Sequence, residues 1–210
     1  MPASINPIKF LKESFIFAKQ YPYINCGIFG VSIFWLLGGL IQMNLVIHCK
    51  ETLQTNNTTA GLVMASAAVG IALGCSFAGR LSNKTINTRM IFMGLTGMIA
   101  FLSTIVIFNP PIVVCAVLIF LTAFAGGFFE VPCLALIQKA NIGRKSGDML
   151  AYMNLVTFIF VLLGSVIFSV STYLSHENSL VVFAVITGIC LISLTYFLIR
   201  YPHFLRNKIQ

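Results

Sequence analysis

The sequence predicts an all-α membrane protein, a bundle of six transmembrane helices, and three observations carry that prediction. Of 210 residues, 58% are hydrophobic and only 9% are charged, whereas a water-soluble fold needs about a quarter of its residues charged to cover its surface. The mean hydropathy of +0.95 leaves more apolar surface than a soluble core can bury. The apolar residues also fall into six runs, at about 24–47, 59–79, 90–109, 111–136, 150–174 and 180–199. Each run is long enough to cross ~30 Å of hydrocarbon at 1.5 Å per residue.

Taken in chain order, residues 1–21 form a polar lead. Asn6-Pro7 leads into Ile8 to Tyr21, in which Phe10, Leu11, Phe15, Phe17 and Ala18 stand among Lys9, Lys12, Glu13 and Lys19, the pattern of a short amphipathic helix lying at the membrane interface or of a plain linker with snorkelling lysines. The six spans occupy residues 22–200, and a tail of ten residues, 201–210, follows. Between spans three and four stands Asn109-Pro110-Pro111, a tripeptide that ends one helix and opens the next in a tight turn. Tyr21, Tyr23, Tyr173, Tyr196 and Tyr201 lie near span ends, where amphipathic rings suit the headgroup region.

Charge sets the expected orientation. Lys9, Lys12 and Lys19 precede span one; Arg80, Lys84 and Arg89 join spans two and three; Lys139, Arg144 and Lys145 join spans four and five; Arg200, Arg206 and Lys208 follow span six. The alternate connections hold only Lys50, so twelve of the thirteen basic residues lie on one side. That asymmetry predicts both termini in the cytoplasm. It also explains the formal net charge of +8 without nucleic acid as a partner; the expected partner is the lipid bilayer.

The six cysteines, Cys26, Cys49, Cys75, Cys115, Cys133 and Cys190, show no metal-ligand spacing and read as small buried hydrophobes. His48, His176 and His203 sit at or beyond span ends, far apart in sequence, and support no zinc site. No P-loop, dinucleotide fingerprint or nucleophile elbow is present, and the isolated polar residues do not make a catalytic set. Neither an enzyme, nor a metal, nor a cofactor is expected.

Candidate site residues are the polar groups inside the apolar runs. Glu130 is the only acidic residue within any of them. A carboxylate in hydrocarbon costs several kcal/mol unless it is neutral, hydrated or paired. It therefore belongs on the bundle interior or a water-filled path, with snorkelling to the interface as the plainer alternative. Gln42 and Asn44 late in span one, Gln138 at the end of span four and Asn154 early in span five are further candidates for substrate or coupling contacts. Trp35, the one tryptophan, falls in mid-span and is expected to line the interior or to pack there. In span two, Gly70 and Gly74 form a close-approach motif, followed by Gly79 and Arg80 at its basic end. In span four, Gly126, Gly127 and Pro132 predict a local bend or unwound turn of the kind found where helices line cavities.

The chain also resembles the carboxy-terminal half of a major facilitator superfamily transporter, and most closely the bacterial lysophospholipid transporter family. The resemblance rests on Ile33 through Gly39, Gly70 through Gly74 running into Gly79-Arg80-Leu81-Ser82, Gly126 through Phe129 with Val131-Pro132, Ala135 through Gln138, Asn154, and the closing Tyr201-Pro202-His203-Phe204-Leu205. It implies half of a major facilitator fold, in which Gly79 through Ser82 stands for the short basic loop that helps close the cytoplasmic gate. Glu130 stands where the resemblance implies an apolar residue.

The implied function is movement of a lysophospholipid, such as lysophosphatidylethanolamine, across the bacterial inner membrane by alternating access with a partner half. That half would be a separately encoded amino-terminal six-helix body or a second copy. A cytosolic acyltransferase, to which members of the family are sometimes fused, is a further implied partner. Two other readings remain open on sequence: a structural or vestigial subunit of a split transporter gene, and a major facilitator transporter for another small solute.

Overall fold

The computed structural model describes residues 7–82, 86–140 and 142–205. The readings of Asn6, Lys84, Arg206 and Lys208 lie outside those residues. A first helix, α1, covers Pro7–Gln20. The six spans are six helices: α2 Pro22–Ile47, α3 Asn57–Leu81, α4 Arg89–Phe108, α5 Ile112–Gln138, α6 Ser146–Leu174 and α7 Ser179–Arg200. All six have the length and apolar composition needed to cross a membrane.

Local chemistry sets the helix ends. Pro22 opens α2, where its missing N–H costs nothing. The Asn56 carboxamide caps α3 by accepting from the Thr59 N–H at 2.8 Å, and Asn178 caps α7 by accepting from Leu180 at 3.1 Å. Asn109 ends α4 in the left-handed region at φ 39° while its N–H reaches Ile105 O at 3.0 Å, and Pro111 caps α5 in extended backbone. The helices also outrun the apolar runs. The first continues through a π-helical turn, His48–Thr52, and the fifth begins at Ser146, taking in the polar Ser146-Gly147-Asp148.

The helices pack in two layers. A front layer runs α3, α5, α2, α6 side by side, and α4 and α7 close the back, α4 against α5 and α7, α7 against α4 and α2. Exchanging α2–α4 with α5–α7 maps this set of packing pairs onto itself: α3 on α5 becomes α6 on α2, and α4 on α5 becomes α7 on α2. Each group of three helices thus repeats the packing of the other.

Glycines allow the close approaches. A side chain at Gly70 or Gly74 would run into the backbone carbonyls of Phe120 or Phe124, so α3 lies directly on the α5 backbone. Gly94 gives α4 the same approach near Phe129.

In span four the expected unwound turn does not form. α5 is one continuous helix with Pro132 inside it, neither broken nor unwound at Gly126-Gly127-Pro132. The glycines serve packing instead: a Cβ on Gly126 would stand 3.1 Å from the Phe34 ring, and one on Gly127 would meet the backbone of Gly74 and Cys75. Gly79 is exposed and a Cβ there would meet nothing within 4 Å, so among the described residues it packs against no other helix.

The basic end is clasped by aromatics. Beyond α7, the turn Pro202–Leu205 folds back so that Tyr201 donates to Pro22 O at 3.2 Å and Thr88 to Phe204 O at 2.9 Å. Phe204 stacks on Tyr201 and Tyr23 with ring centroids 5.0 and 5.8 Å apart. All six cysteines are free thiols; five are buried and Cys75 is half-buried.

Candidate transport face

Burial singles out two helices. In their most apolar stretches only 6% of α6 and 22% of α3 is buried, against 39% or more of each other span. These are the flanking members of the front layer, α3 packed mainly on α5 and α6 mainly on α2.

Helical geometry decides which side chains occupy that front. At about 100° per residue, the neighbours of α5 can be placed around it. Gly126 and Cys133 face α2, Gly127 faces α3, and Ala125 and Phe129 face α4. Glu130 falls roughly 40° from Gly126 toward Gly127, so it points into the front groove between α2 and α3. It is half-buried there, and the Cys75 thiol on α3 donates to its Oε2 at 3.8 Å. Among the described residues it is the one carboxylate lying beyond the terminal turns of the six spans, and the recorded ion pair, Lys9 with Glu13 on α1, does not involve it.

The same argument places α2. Gly27 and Gly30 face α5, while Ser32 bonds Thr157 at 3.3 Å and Leu36 meets Gly164, both on α6. Between those directions runs one open stripe: Trp35, Gly38, Gly39 and Gln42. Trp35 is 50% exposed, its indole edge-on to Phe34 at 5.9 Å, so it lies on the open face and not in the packed interior. The helix contacts of α2 and α5 put Trp35 about one turn further from the basic end than Glu130.

Two walls flank this floor. On α3 the exposed side next to Cys75 is made of small residues, Gly61, Ala65, Ala68, Ala72, Ser76 and Gly79, while Leu62, Val69 and Leu73 occupy the side away from the groove. On α6 the flank away from α7 carries Asn154, Ser165, Ser169 and Thr172 together with the exposed Phe158 and Leu162, and the other carries Ile159, Leu163 and Val170. Thus α3 turns small groups forward and bulky apolar groups outward, whereas the forward flank of α6 mixes polar groups with Phe158 and Leu162.

The remaining candidates separate. Gln138 and Arg80 are exposed at the basic ends of α5 and α3, near the face but a few turns from Trp35. Asn44 does not reach the groove. It is buried against α7, where its amide donates to Ser179 O at 2.9 Å. Its neighbour in that contact is His48, which sequence reasoning set aside as a residue at a span end. The signal was present: Asn44, His48 and Thr52 recur every four residues and share one helix face. An open apolar cleft of about 450 Å³ between α3 and α5 is lined by Leu62, Val63, Val113 and Val117 on the outward flank, away from Glu130. Among the described residues no group of three His, Cys, Asp or Glu is placed to hold a metal.

Comparison with known proteins agrees with this architecture. The lysophospholipid transporter LplT of Pectobacterium carotovorum subsp. carotovorum (strain PC1) is 33% identical over 131 residues, 60% of this chain and 31% of that protein. The LplT proteins of Escherichia fergusonii and Shigella boydii serotype 4 are 31% and 30% identical over 131 residues, 60% of this chain and 32% of each. The chain covers about a third of the length of the curated relatives it matches. No solved structure matches. The repeated three-helix packing described above is the arrangement within each six-helix half of major facilitator transporters. The family model of the Major Facilitator Superfamily matches residues 27–209, and the chain belongs to that superfamily of transport proteins, not enzymes.

Proposed function

We propose that this chain is one six-helix half of a transporter that moves lysophospholipid, of the lysophosphatidylethanolamine type, across the bacterial inner membrane by alternating access. The front face carries the proposal. It gathers a half-buried carboxylate, a half-exposed tryptophan and Gln42 between a small-residue wall on α3 and an α6 wall of mixed polar and apolar groups. A second six-helix half set against this face encloses a path with both polar and apolar lining. A lysophospholipid needs both: an apolar wall for its single acyl chain and polar groups for its headgroup.

In this reading Glu130 meets the cationic ammonium of the headgroup, a contact that gives a carboxylate in a low-dielectric span the partner it needs. Trp35 and the glycines beside it, Gly38 and Gly39, offer a flat surface to the acyl chain. The names of the relatives support the substrate class. The excess of basic residues at one end supports both termini in the cytoplasm, with Gly79 and Arg80 at the cytoplasmic mouth.

The test is transport by the chain together with its amino-terminal counterpart in sealed vesicles. Labelled lysophosphatidylethanolamine is expected to cross, and a soluble sugar or drug of similar mass is not. Absence of lysophospholipid movement with both halves inserted overturns the proposal.

A further inference from the structure

A second polar site lies behind α2, at the end of the bundle opposite the basic one, and the front face does not use it. His48, Asn44 and Ser179 are each wholly buried. His48 Nδ1 lies 2.9 Å from Ser179 Oγ, and Thr52 Oγ1 lies 2.7 Å from the same oxygen. The Asn44 amide holds the Ser179 carbonyl at 2.9 Å, and the Phe183 ring meets the imidazole edge-on at 5.2 Å. Two buried atoms, His48 Nε2 and Asn44 Oδ1, have no hydrogen-bond partner within the protein. His48 opens a π-helical turn, a rare element that recurs at functional positions.

The donor and acceptor inventory fixes how this network runs. A hydroxyl donates one hydrogen, and a neutral imidazole carries one N–H. With the proton on Nε2, Thr52 donates to Ser179 and Ser179 donates to Nδ1. With the proton on Nδ1 instead, the Ser179 and Thr52 hydroxyls both reverse. Only the Nε2–H ring leaves Nδ1 open to take a further proton along the Thr52–Ser179 chain.

We infer that His48, Ser179 and Thr52 form a proton-binding latch that ties the far end of α2 to the start of α7 and loosens when a proton arrives. The proton comes from a hydronium ion in the adjoining aqueous phase. It adds to Thr52 Oγ as the Thr52 proton passes to Ser179 and the Ser179 proton passes to His48 Nδ1. One N–H bond forms, one O–H bond of hydronium breaks, and the hydroxyls are restored with reversed direction. The product is an imidazolium among Phe183, Asn44 and Cys49. Its surroundings hold little to compensate it. Cys49, Lys50 and Glu51 lie on its own turn, Cys115 at the start of α5, and His176 and Glu177 in the connection before α7; the first turns of α3 and α7 bring no titratable group. Lys50, Glu51, His176 and Glu177 are all exposed. A buried charge without a counter-charge destabilises its site, so proton uptake drives the helix ends apart.

The full chain, labelled with 15N-histidine and inserted in phosphatidylethanolamine–phosphatidylglycerol vesicles, provides the test. The His48 ring signals are assigned by their loss in His48→Gln. At neutral pH they are expected to show the Nε2–H tautomer, and the imidazolium only at acidic pH below the ordinary histidine range. Over the same range, amide exchange in residues 44–52 and 179–183, corrected for its intrinsic pH dependence, should quicken about tenfold, as opening a strained buried hydrogen-bond site implies, while α4 is unchanged. Ser179→Ala should abolish that acid response, and Thr52→Val, which leaves the α7 contact in place, should blunt it. An Nδ1–H tautomer, a ring that stays neutral until the bundle unfolds, a titration without faster exchange, or an undiminished response in both variants each overturns the inference.

Discussion

The Cys75 thiol on α3 and the Glu130 carboxylate on α5 meet at 3.8 Å, one residue beyond the point where Gly74 lets the two helix backbones touch. The two features depend on one another. Gly74 and Gly127 bring α3 so near α5 that a side chain on the next position of α3 reaches the carboxylate from the side. A thiol is a weak donor, so Cys75 steadies Glu130 without neutralising it. The carboxylate keeps an oxygen for something that enters from the front.

Glu130→Gln keeps the shape of that side chain and removes its charge. If the groove receives a cationic headgroup, the variant should insert normally and transport lysophosphatidylethanolamine at least roughly tenfold more slowly, the scale of one lost charge-assisted hydrogen bond. The pH profile of transport should flatten as well. Glu130→Leu should lose activity without unfolding the bundle. Transport rate against pH for wild type and Glu130→Gln in matched vesicles decides the matter: superimposed curves at equal protein level make Glu130 a tolerated residue near the interface.

The glycines of α3 separate into two kinds, and substitution should tell them apart. Gly74→Leu drives a side chain into the Phe124 backbone, where neither partner can yield, and should cost at least the ~1–3 kcal/mol typical of overpacking. Gly79→Ala adds a methyl group in open space on the same helix and should leave stability unchanged or slightly raised, because alanine favours helix over glycine. Thermal unfolding in detergent, followed by helix content, compares the two. A Gly79→Ala variant as unstable as Gly74→Leu would contradict the packing described here.

Much of the fold was legible because membrane-spanning helices announce themselves by composition. The six runs, the Asn109-Pro110-Pro111 turn and the Gly70–Gly74 approach all follow from properties of single segments. What depended on rotation between helices was not legible. Asn44 and Gln42 are two residues apart, roughly 160° around the helix, and so one binds α7 while the other lies on the open face. Gly126 and Gly127 read as a bend or unwound turn because sequence shows the missing side chains but not the Phe34 ring and α3 backbone that fill their place. His48 was missed for a related reason: its partner Ser179 is 131 residues away, and only the fold brings them together.

The proposed orientation makes an independent prediction. On a background without native cysteines, Lys145→Cys should react with an impermeant maleimide only from the cytoplasmic side, and Thr55→Cys and Asn178→Cys only from the opposite side. Lys145 precedes α6, while positions 55 and 178 lie in the connections at the far end. A position 178 label on the cytoplasmic side would reverse the membrane orientation proposed here, and with it the place of Gly79 and Arg80.

Tyr201 supplies a prediction about pH and stability at the basic end. It follows the last residue of α7, is almost wholly buried, and donates its phenol to Pro22 O at 3.2 Å, tying the end of the bundle to its first span. Burial pushes its ionisation above the ordinary tyrosine value of 10.0, and the proximity of Cys26 acts in the same direction. The sign follows from proton linkage. Above the ordinary value the unfolded chain has released the phenol proton while the folded chain retains it, so folding is opposed by rising pH. The contribution of Tyr201 is fully present below pH ~10, the unfolded value, and is lost as pH climbs toward the folded value. Tyr201→Phe removes both the hydrogen bond and the titration. It should lower stability by about 1 kcal/mol near neutral pH, and the gap between wild type and variant should shrink as the solution is made alkaline. Thermal unfolding of the two proteins in detergent, compared at neutral pH and above pH ~10, measures that gap. A gap that stays constant or widens with pH would show that the Tyr201 phenol is not held protonated by the fold.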